Sequence, residues 1–274
     1  MGKNFSIVIV GTGGQGVIRA STVIGWAVLD LDISYKLRTA ETHGMAQRGG
    51  SVIVHLRFGP TVESPLVNKH SADVIIAFEL AEALRYIDYL KKDGILLVNN
   101  EVIIPPILFR GQHIKVDPEV CIGCGNCKIN CYVNYYYKNS NLLAVIDFPA
   151  SKITNGICQI LEGCTGCKRC MDICSQNAIT LVKEISYPEL SEIKNVLLNV
   201  SKNSFIIQAS KSAIELGDIR MTNTIMIGAL LGTNKIPLKE ESIKNAIKKL
   251  FSSKIVEVNL KALEIGKNLV KNYK

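Results

Sequence analysis

The first 118 residues alternate between two hydrophobic rhythms. Phe5 to Val10 is a short apolar run that reads as a strand, and Val17 to Leu29 carries its apolar positions at helical spacing. Ser51 to Phe58 alternates as a strand does, Asp73 to Phe78 reads as a buried strand, Ala81 to Leu90 as a helix and Ile95 to Val98 as a further strand. Pro105-Pro106, Gly111 and Pro118 then punctuate the chain. Past Pro188 the rhythm resumes. It predicts a helix over Glu189 to Leu198, a strand over Phe205 to Gln208 and helices over Asn223 to Leu231, Glu240 to Leu250 and Ile255 to Leu269. Strands and helices in alternation predict an α/β layer fold. The expected domain is discontinuous, made of residues 1–117 and 184–274, with the cysteine-rich residues 118–183 inserted as a second, smaller unit.

With 274 residues, 47% of them hydrophobic and 20% charged, the chain has enough apolar material for one large or two medium cores and is not a disordered polymer. Val17 to Leu31 is its longest apolar stretch, and Arg19 and Asp30 break it, so no membrane span is expected. Lys3 and the four-residue run Ile7 to Val10 do not make a secretory signal, which points to the cytoplasm. The first six residues match a myristoylation pattern but lead straight into a strand, and the match reads as coincidence. The 32 basic and 24 acidic residues leave a formal charge of +8. Most of the excess falls between Lys235 and Lys274, where ten lysines and four glutamates accompany Ile243, Ile247, Leu250, Leu260, Leu263 and Leu269 in helical rhythm. That is a solvated amphipathic face, or else a docking surface for an acidic protein. Nothing interleaves arginine with aromatics as a nucleic-acid surface would.

Cysteine carries the chemistry. Cys121, Cys124, Cys127 and Cys131 follow the spacing C-x2-C-x2-C-x3-C, and Cys164, Cys167, Cys170 and Cys174 repeat it 43 residues later. Three thiolates at this spacing wrap three irons of one cubane, while the fourth, a helical turn beyond, points toward a second. Ligation is therefore expected to cross over. One 4Fe-4S cluster is assigned to Cys121, Cys124, Cys127 and Cys174, the other to Cys164, Cys167, Cys170 and Cys131. Zinc knuckles are the alternative, but they use two close cysteines rather than three plus one. Gly123 and Gly166 stand at equivalent places, where backbone must bend closely around sulfide. Cys158 belongs to neither quartet and reads as a buried thiol. From about Pro118 to Lys183 the block resembles the bacterial two-cluster ferredoxin domain, with Tyr132 and Ser175 where that family usually has proline. Tyr135-Tyr136-Tyr137 is expected to shield a cluster from water.

Gly11-Thr-Gly13-Gly14-Gln15-Gly16 follows a strand and opens a helix, the context of a phosphate-binding turn; a ligand-free strand-to-helix turn has the same look. The sheet domain is therefore expected to be Rossmann-like. A nicotinamide site would also want an acidic residue ending the second strand, and after Ile33 to Leu37 the chain supplies Arg38-Thr39 before Glu41. Further on comes Glu41-Thr-His43-Gly-Met-Ala-Gln47-Arg48-Gly49-Gly50-Ser51-Val52. His43, beside glycine at a turn, reads as a structural hydrogen-bond donor rather than a general base.

Together these two elements resemble the beta subunit of indolepyruvate ferredoxin oxidoreductase, related to the gamma subunit of pyruvate and other 2-oxoacid ferredoxin oxidoreductases. Asp73 to Glu79, Glu82 to Tyr86, Leu97 to Asn99, Thr222-Asn223, Gly228-Ala229 and Asn259 to Gly266 extend the likeness in order, over about residues 4–112 and 188–270. In that family the ferredoxin-like clusters usually belong to the larger alpha subunit, so two cluster motifs within this chain are a departure. The resemblance implies an electron-transferring subunit of a thiamine-dependent enzyme that turns an aryl 2-oxoacid such as indolepyruvate into acyl-CoA and carbon dioxide. It implies an alpha subunit that holds thiamine diphosphate and magnesium, coenzyme A as co-substrate, and soluble ferredoxin as electron acceptor in an anaerobic cytoplasm. It also implies that the glycine loop (Gly11, Gly13, Gly14, Gln15, Gly16) and Arg48 face the partner and help hold the coenzyme A phosphates. This chain has no GDG-type thiamine motif and is not expected to catalyse alone. The alternative from another class is a non-catalytic iron-sulfur carrier or redox sensor whose α/β part binds a nucleotide or docks a partner.

Overall fold

The computed structural model describes residues 3–31, 35–43, 50–103, 114–131, 134, 151–161, 169–181 and 188–273. The chain divides into two compact units, one of Met1–Ile103 with Glu189–Lys274 and the other of Ile104–Pro188.

The first unit is built on a six-stranded sheet: β1 (Phe5–Thr12), β2 (Lys36–His43), β3 (Ser51–Gly59), β4 (Ala72–Ala77), β5 (Leu90–Asn99) and β10 (Ser204–Ile207), in the order β10-β5-β4-β1-β3-β2. β1, β4, β5 and β10 run parallel, while β3 lies antiparallel to both β1 and β2. This corrects the Rossmann-like expectation in part. Arg38, Thr39 and Glu41 lie inside β2 rather than after it, and β2 is the far edge of the sheet. β1 has antiparallel β3 on one side and parallel β4 on the other, so the sheet is mixed and parallel-rich.

Successive residues of β1 point to opposite faces, and both faces are buried. Ile7 and Ile9 join one core; Val8 and Val10, equally inaccessible, face away from it. The first face is covered by α1 (Val17–Leu29), α7 (Thr222–Gly232), α8 (Glu240–Leu250) and α9 (Ser253–Lys271), whose Ile24, Ile225, Ile247 and Leu263 are fully buried. α2 (Leu80–Arg85) packs on α5 (Leu190–Val200), and Leu80 and Ala83 of the one and Ile193 and Leu197 of the other are buried. The helix expected over 81–90 is shorter than its pattern. Leu90 pairs with Ala72 and so already belongs to β5, which leaves one 3-10 turn, Ile87–Tyr89, between helix and strand. A short helix, α6 (Ala209–Glu215), follows β10 and carries no strong apolar period of its own.

The lysine-rich C-terminal stretch folds as the amphipathic pair α8 and α9. Its glutamates are each paired: Glu240 with Lys244 and Lys267, Glu241 with Lys248, Glu257 with Lys261 and Glu264 with Lys267. Among the described residues no helix is long and apolar enough to cross a membrane.

The second unit contains β6 (Ile114–Val116), α3 (Asn126–Ile129), β7 (Ser151–Thr154), β8 (Ile157–Ile160), α4 (Arg169–Asp172) and β9 (Ile179–Leu181). β6 pairs antiparallel with β9, and β7 with β8. α3 and α4 lie at equivalent places of the 43-residue repeat, as do β6 and β8. Among the described residues each half has a strand before its helix and a strand after it, and the first strand of one half pairs with the last strand of the other. The unit begins at Ile104 rather than Pro118 because Ile114–Val116 is paired with Ile179–Leu181. Its small core joins Ile114, Cys127, Cys158 and Ile179.

Candidate functional site

Chemistry concentrates at two places, one in each unit. In the second unit the chain leaves β6 through a turn at Asp117, whose carboxylate accepts from the Glu119 N–H at 2.9 Å and whose carbonyl accepts from the Cys121 N–H at 3.0 Å. Asp117 N–H in turn donates to Ala178 O at 2.8 Å, which ties the start of this loop to the end of the second half. Gly123 and Gly125 then adopt φ of 64° and 80°, left-handed values that only glycine takes without strain. The Gly125 carbonyl accepts from Lys128 and Ile129 N–H at 3.0 Å and starts the one-turn helix that carries Cys127. Cys174 arrives from the other half, just beyond α4, with its N–H on Met171 O at 3.2 Å.

These turns place Cys121, Cys124, Cys127 and Cys174 around one pocket, with Cys158 of β8 on its wall and Ile153, Ala178 and Ile179 closing it. Burial is graded around the ring: Cys127 is buried, Cys121 and Cys174 are half-buried and Cys124 is exposed. The Cys158 thiol donates to Cys127 Sγ, and that bond, followed by backbone N–H groups of Lys128 and Cys127, lowers the Cys127 thiol to about 6. The same bond, reinforced by burial, pushes the Cys158 thiol up, so Cys158 keeps its proton. Among the described residues no group of three or more His, Cys, Asp or Glu is placed to hold a single metal ion. Thiols that wrap a cubane contact separate irons instead of converging on one. Four soft thiolate donors around a common pocket, one already acidified, fit a 4Fe-4S cluster. Of the other quartet, Cys131 and Cys170 are half-buried and pack against the same small core. Cys164 and Cys167 lie outside the described residues, as do the tyrosine run 135–137 and Gly166.

In the first unit the glycine loop joins β1 to α1. The Gln15 side chain holds it shut: its Oε1 accepts from Thr12 N–H at 2.8 Å and from Thr12 Oγ1 at 3.0 Å, and its Nε2 donates to Phe78 O at 3.2 Å. Gln15 therefore positions the loop with both ends of its amide. Gly13 N–H donates to Gly50 O at 2.8 Å, and a Cβ at Gly11 would meet Gln15 Oε1 at 2.8 Å, so these two residues shape the turn. Gly14 and Gly16 take positive φ, and Gly16 starts α1 with no side-chain cap. Gly14, Gln15 and Gly16 border an open crevice at the carboxyl ends of the parallel strands, with Asn99, Glu101 and Asn223 on its walls. Arg220 also lines it but is held by Asp218 through paired contacts of 2.9 and 2.7 Å, which keep the Asp218 carboxyl below its ordinary range. Asn223 Oδ1 is buried with no hydrogen-bond partner.

Arg48 and the stretch 44–49 lie outside the described residues, and His43 ends β2 opposite Val52. His55 is structural: its Nδ1 accepts from Val67 N–H at 3.3 Å, its ring lies edge-on to Tyr89, and burial lowers its pKa. Glu101, Asn223 and Arg220 were not marked as site residues by any motif. They come from two segments far apart in sequence, one after β5 and one at the start of α7, and only the fold brings them to the glycine loop.

The family model for pyruvate ferredoxin/flavodoxin oxidoreductase matches residues 6–163 and 165–269. The indolepyruvate oxidoreductase subunit IorB of Pyrococcus horikoshii is 33% identical over 265 residues, covering 96% of this chain and 95% of that one. Its counterpart from Thermococcus kodakarensis gives the same identity and coverage. Among solved structures, the pyruvate oxidoreductase subunit PORC of Thermotoga maritima is similar in fold, with a TM-score of 0.53 over 97% of both chains at 18% identity. A match that runs through both units and nearly from end to end settles the kinship: the chain belongs to the pyruvate ferredoxin/flavodoxin oxidoreductase family.

Proposed function

We propose that this chain is the electron-transferring subunit of a thiamine-dependent indolepyruvate, or other aryl pyruvate, ferredoxin oxidoreductase, and that its second unit carries two 4Fe-4S clusters. The observation that carries the reading is the ring of Cys121, Cys124, Cys127 and Cys174, drawn from both halves of the repeat around one pocket. Membership of the family and near full-length similarity to IorB proteins support the substrate class. In the overall reaction a 2-oxoacid and coenzyme A give acyl-CoA, carbon dioxide, a proton and two electrons, and two ferredoxins take one electron each. Thiamine diphosphate and magnesium belong to the alpha partner. When bound, the clusters supply one-electron acceptors between that partner and ferredoxin.

What this chain's residues contribute is placement and shielding. The two positive-φ glycines would let the loop bend around a bound cluster, and buried Cys127, Cys158 and Ile179, with half-buried Ile153, would keep water from its inner side. Exposed Cys124 marks the edge from which electrons leave, because transfer is fastest where the least protein intervenes. In the first unit, the crevice beside Gly14 and Gly16 is the proposed seat for the coenzyme A phosphates, with Arg48 as a further contact. The cytoplasm, anaerobic and reducing, is the proposed compartment.

The test is optical. The chain is purified anaerobically with its alpha partner, and indolepyruvate and coenzyme A are added while iron-sulfur absorbance is followed. Bleaching that needs both additions is expected. Clusters that dithionite reduces but no 2-oxoacid does, with the alpha subunit present, would instead favour the carrier or sensor.

A further inference from the structure

Eight of the nine cysteines fall into the two quartets, and the ninth lies inside the pocket of one of them. Cys158 is 2% exposed, sits on β8 opposite Ile153, and shares the pocket wall with it. It belongs to the same small buried core as Cys127, and both line the pocket. The repeat has no thiol at the equivalent place of the other quartet: 43 residues before Cys158, on β6, stands Lys115, which is exposed.

We propose that Cys158 is a positioning residue that sets the first cluster apart from the second: its thiol donates a hydrogen bond to Cys127 Sγ and raises the reduction potential of the cluster held by Cys121, Cys124, Cys127 and Cys174. This rests on the cluster reading given above. An added electron puts more negative charge on the ligand sulfurs, and a donor aimed at one of them stabilises the reduced form more than the oxidised form. Burial strengthens the effect, because water does not compete for Cys127 Sγ at a site this enclosed. Iron does not remove the interaction, since a thiolate sulfur bound to one iron keeps lone pairs that accept. The two repeats, alike in ligand spacing, thereby differ in a thiol donor that the first has and the second lacks at the equivalent place.

The experiment uses the anaerobic complex with Cys158→Ala, Cys158→Ser and Cys158→Val, iron and sulfide counts, and potentiometric titration followed by electron paramagnetic resonance. Serine keeps a donor; valine fills the space without one, so it serves if the alanine cavity disturbs assembly. Expected is full iron and sulfide in every variant, a lower midpoint for one cluster in Ala and Val, an unchanged midpoint for the other, and recovery toward wild type in Ser. Three results overturn the proposal: both midpoints unmoved in Ala and Val, a shift in Ser as large as that in Val, or loss of about half the iron from Val, which would make Cys158 a ligand. A wild-type complex with no four-iron clusters would instead overturn the function proposed above.

Discussion

Gly123 and Gly156 meet backbone to backbone: a Cβ built on Gly123 would stand 2.1 Å from the Gly156 carbonyl oxygen. The first cysteine loop is thereby pressed on the turn between β7 and β8, which also aims Cys158 into the pocket. Gly125, two residues on, has the same left-handed backbone but its nearest neighbour is 4.0 Å away. The two glycines therefore separate crowding from strain. Gly125→Ala is expected to cost only the backbone term, about 1 kcal/mol. Gly123→Ala adds a backbone clash that no side chain can relieve, so the loop must shift. Anaerobic iron analysis checks this: Gly125→Ala should keep its iron, and Gly123→Ala should lose the first cluster.

A similar contact locks the helices of the first unit. A Cβ at Gly228 of α7 would lie 2.1 Å from Leu263 O, and one at Gly266 of α9 would lie 2.0 Å from Ile225 O. The two helices touch main chain to main chain. Either Gly→Ala change forces them apart within a buried core, for which overpacking costs of about 3 kcal/mol apply. Thermal unfolding should show a lower midpoint for both variants, while the spectrum of the second unit stays as in the wild type.

Much of this was legible in the sequence because the signals were local. Val17 to Leu29 has a 3.6-residue period and opens after Gly16, and it is a helix over those same residues. The cysteine spacing needs only a short loop and one helical turn, and four thiols assigned to a common cluster on spacing alone line a common pocket. What escaped was set by long-range pairing. β2 extends to His43 because β3 returns beside it, and no residue between Lys36 and His43 announces an edge position. Ser51 to Phe58 alternates in polarity, yet Val52 to Leu56 are all buried because both faces of the strand are covered, with α1 packed on it and Val67 and Tyr89 against His55. The crevice residues Glu101 and Asn223, 122 positions apart in sequence, line one crevice only once β5 and α7 are packed in the folded unit.

Gly16 and Asn223 offer a way to test that crevice wall without any ligand. A Cβ at Gly16 would stand 2.1 Å from Asn223 Nδ2, and Gly16 has φ of 80°. Gly16→Ala should therefore cost strain plus crowding. Pairing it with Asn223→Ala should recover the crowding and leave about 1 kcal/mol of backbone strain. A denaturant-based double-mutant cycle reads the difference; additive costs would mean that the two residues do not press on each other.

Glu240 makes stability depend on pH. Hydrogen bonds from Lys244 and Lys267 hold its carboxyl down to about 2, against an ordinary value of 4.5. A carboxyl depressed in the folded state stabilises fully above its unfolded value, and that contribution fades as the pH falls from 4.5 toward 2. The group is about a third exposed, so solvent screening keeps the gain small. Glu240→Gln should lower the melting temperature at pH 7 and not at pH 2. Equal losses at both values would show that the bonds from Lys244 and Lys267 act through shape and not through charge.

The crossed assignment of the cysteines makes a prediction that nearest-neighbour ligation does not. If each cluster took the four cysteines of its own repeat, Cys174→Ala would damage the second cluster and leave the first intact. In the crossed arrangement Cys174→Ala and Cys121→Ala, 53 positions apart in sequence, strike the same cluster. Cys131→Ala then strikes the other, although Cys131 lies only four residues beyond Cys127. Electron paramagnetic resonance of the reduced complex distinguishes these patterns, because loss of one of two neighbouring clusters removes their magnetic coupling and leaves the signal of the survivor. The expected result is one residual spectrum shared by Cys121→Ala and Cys174→Ala and a different one from Cys131→Ala. A residual spectrum shared by Cys121→Ala and Cys131→Ala would refute the crossing, and with it the assignment of the pocket that Cys158 faces.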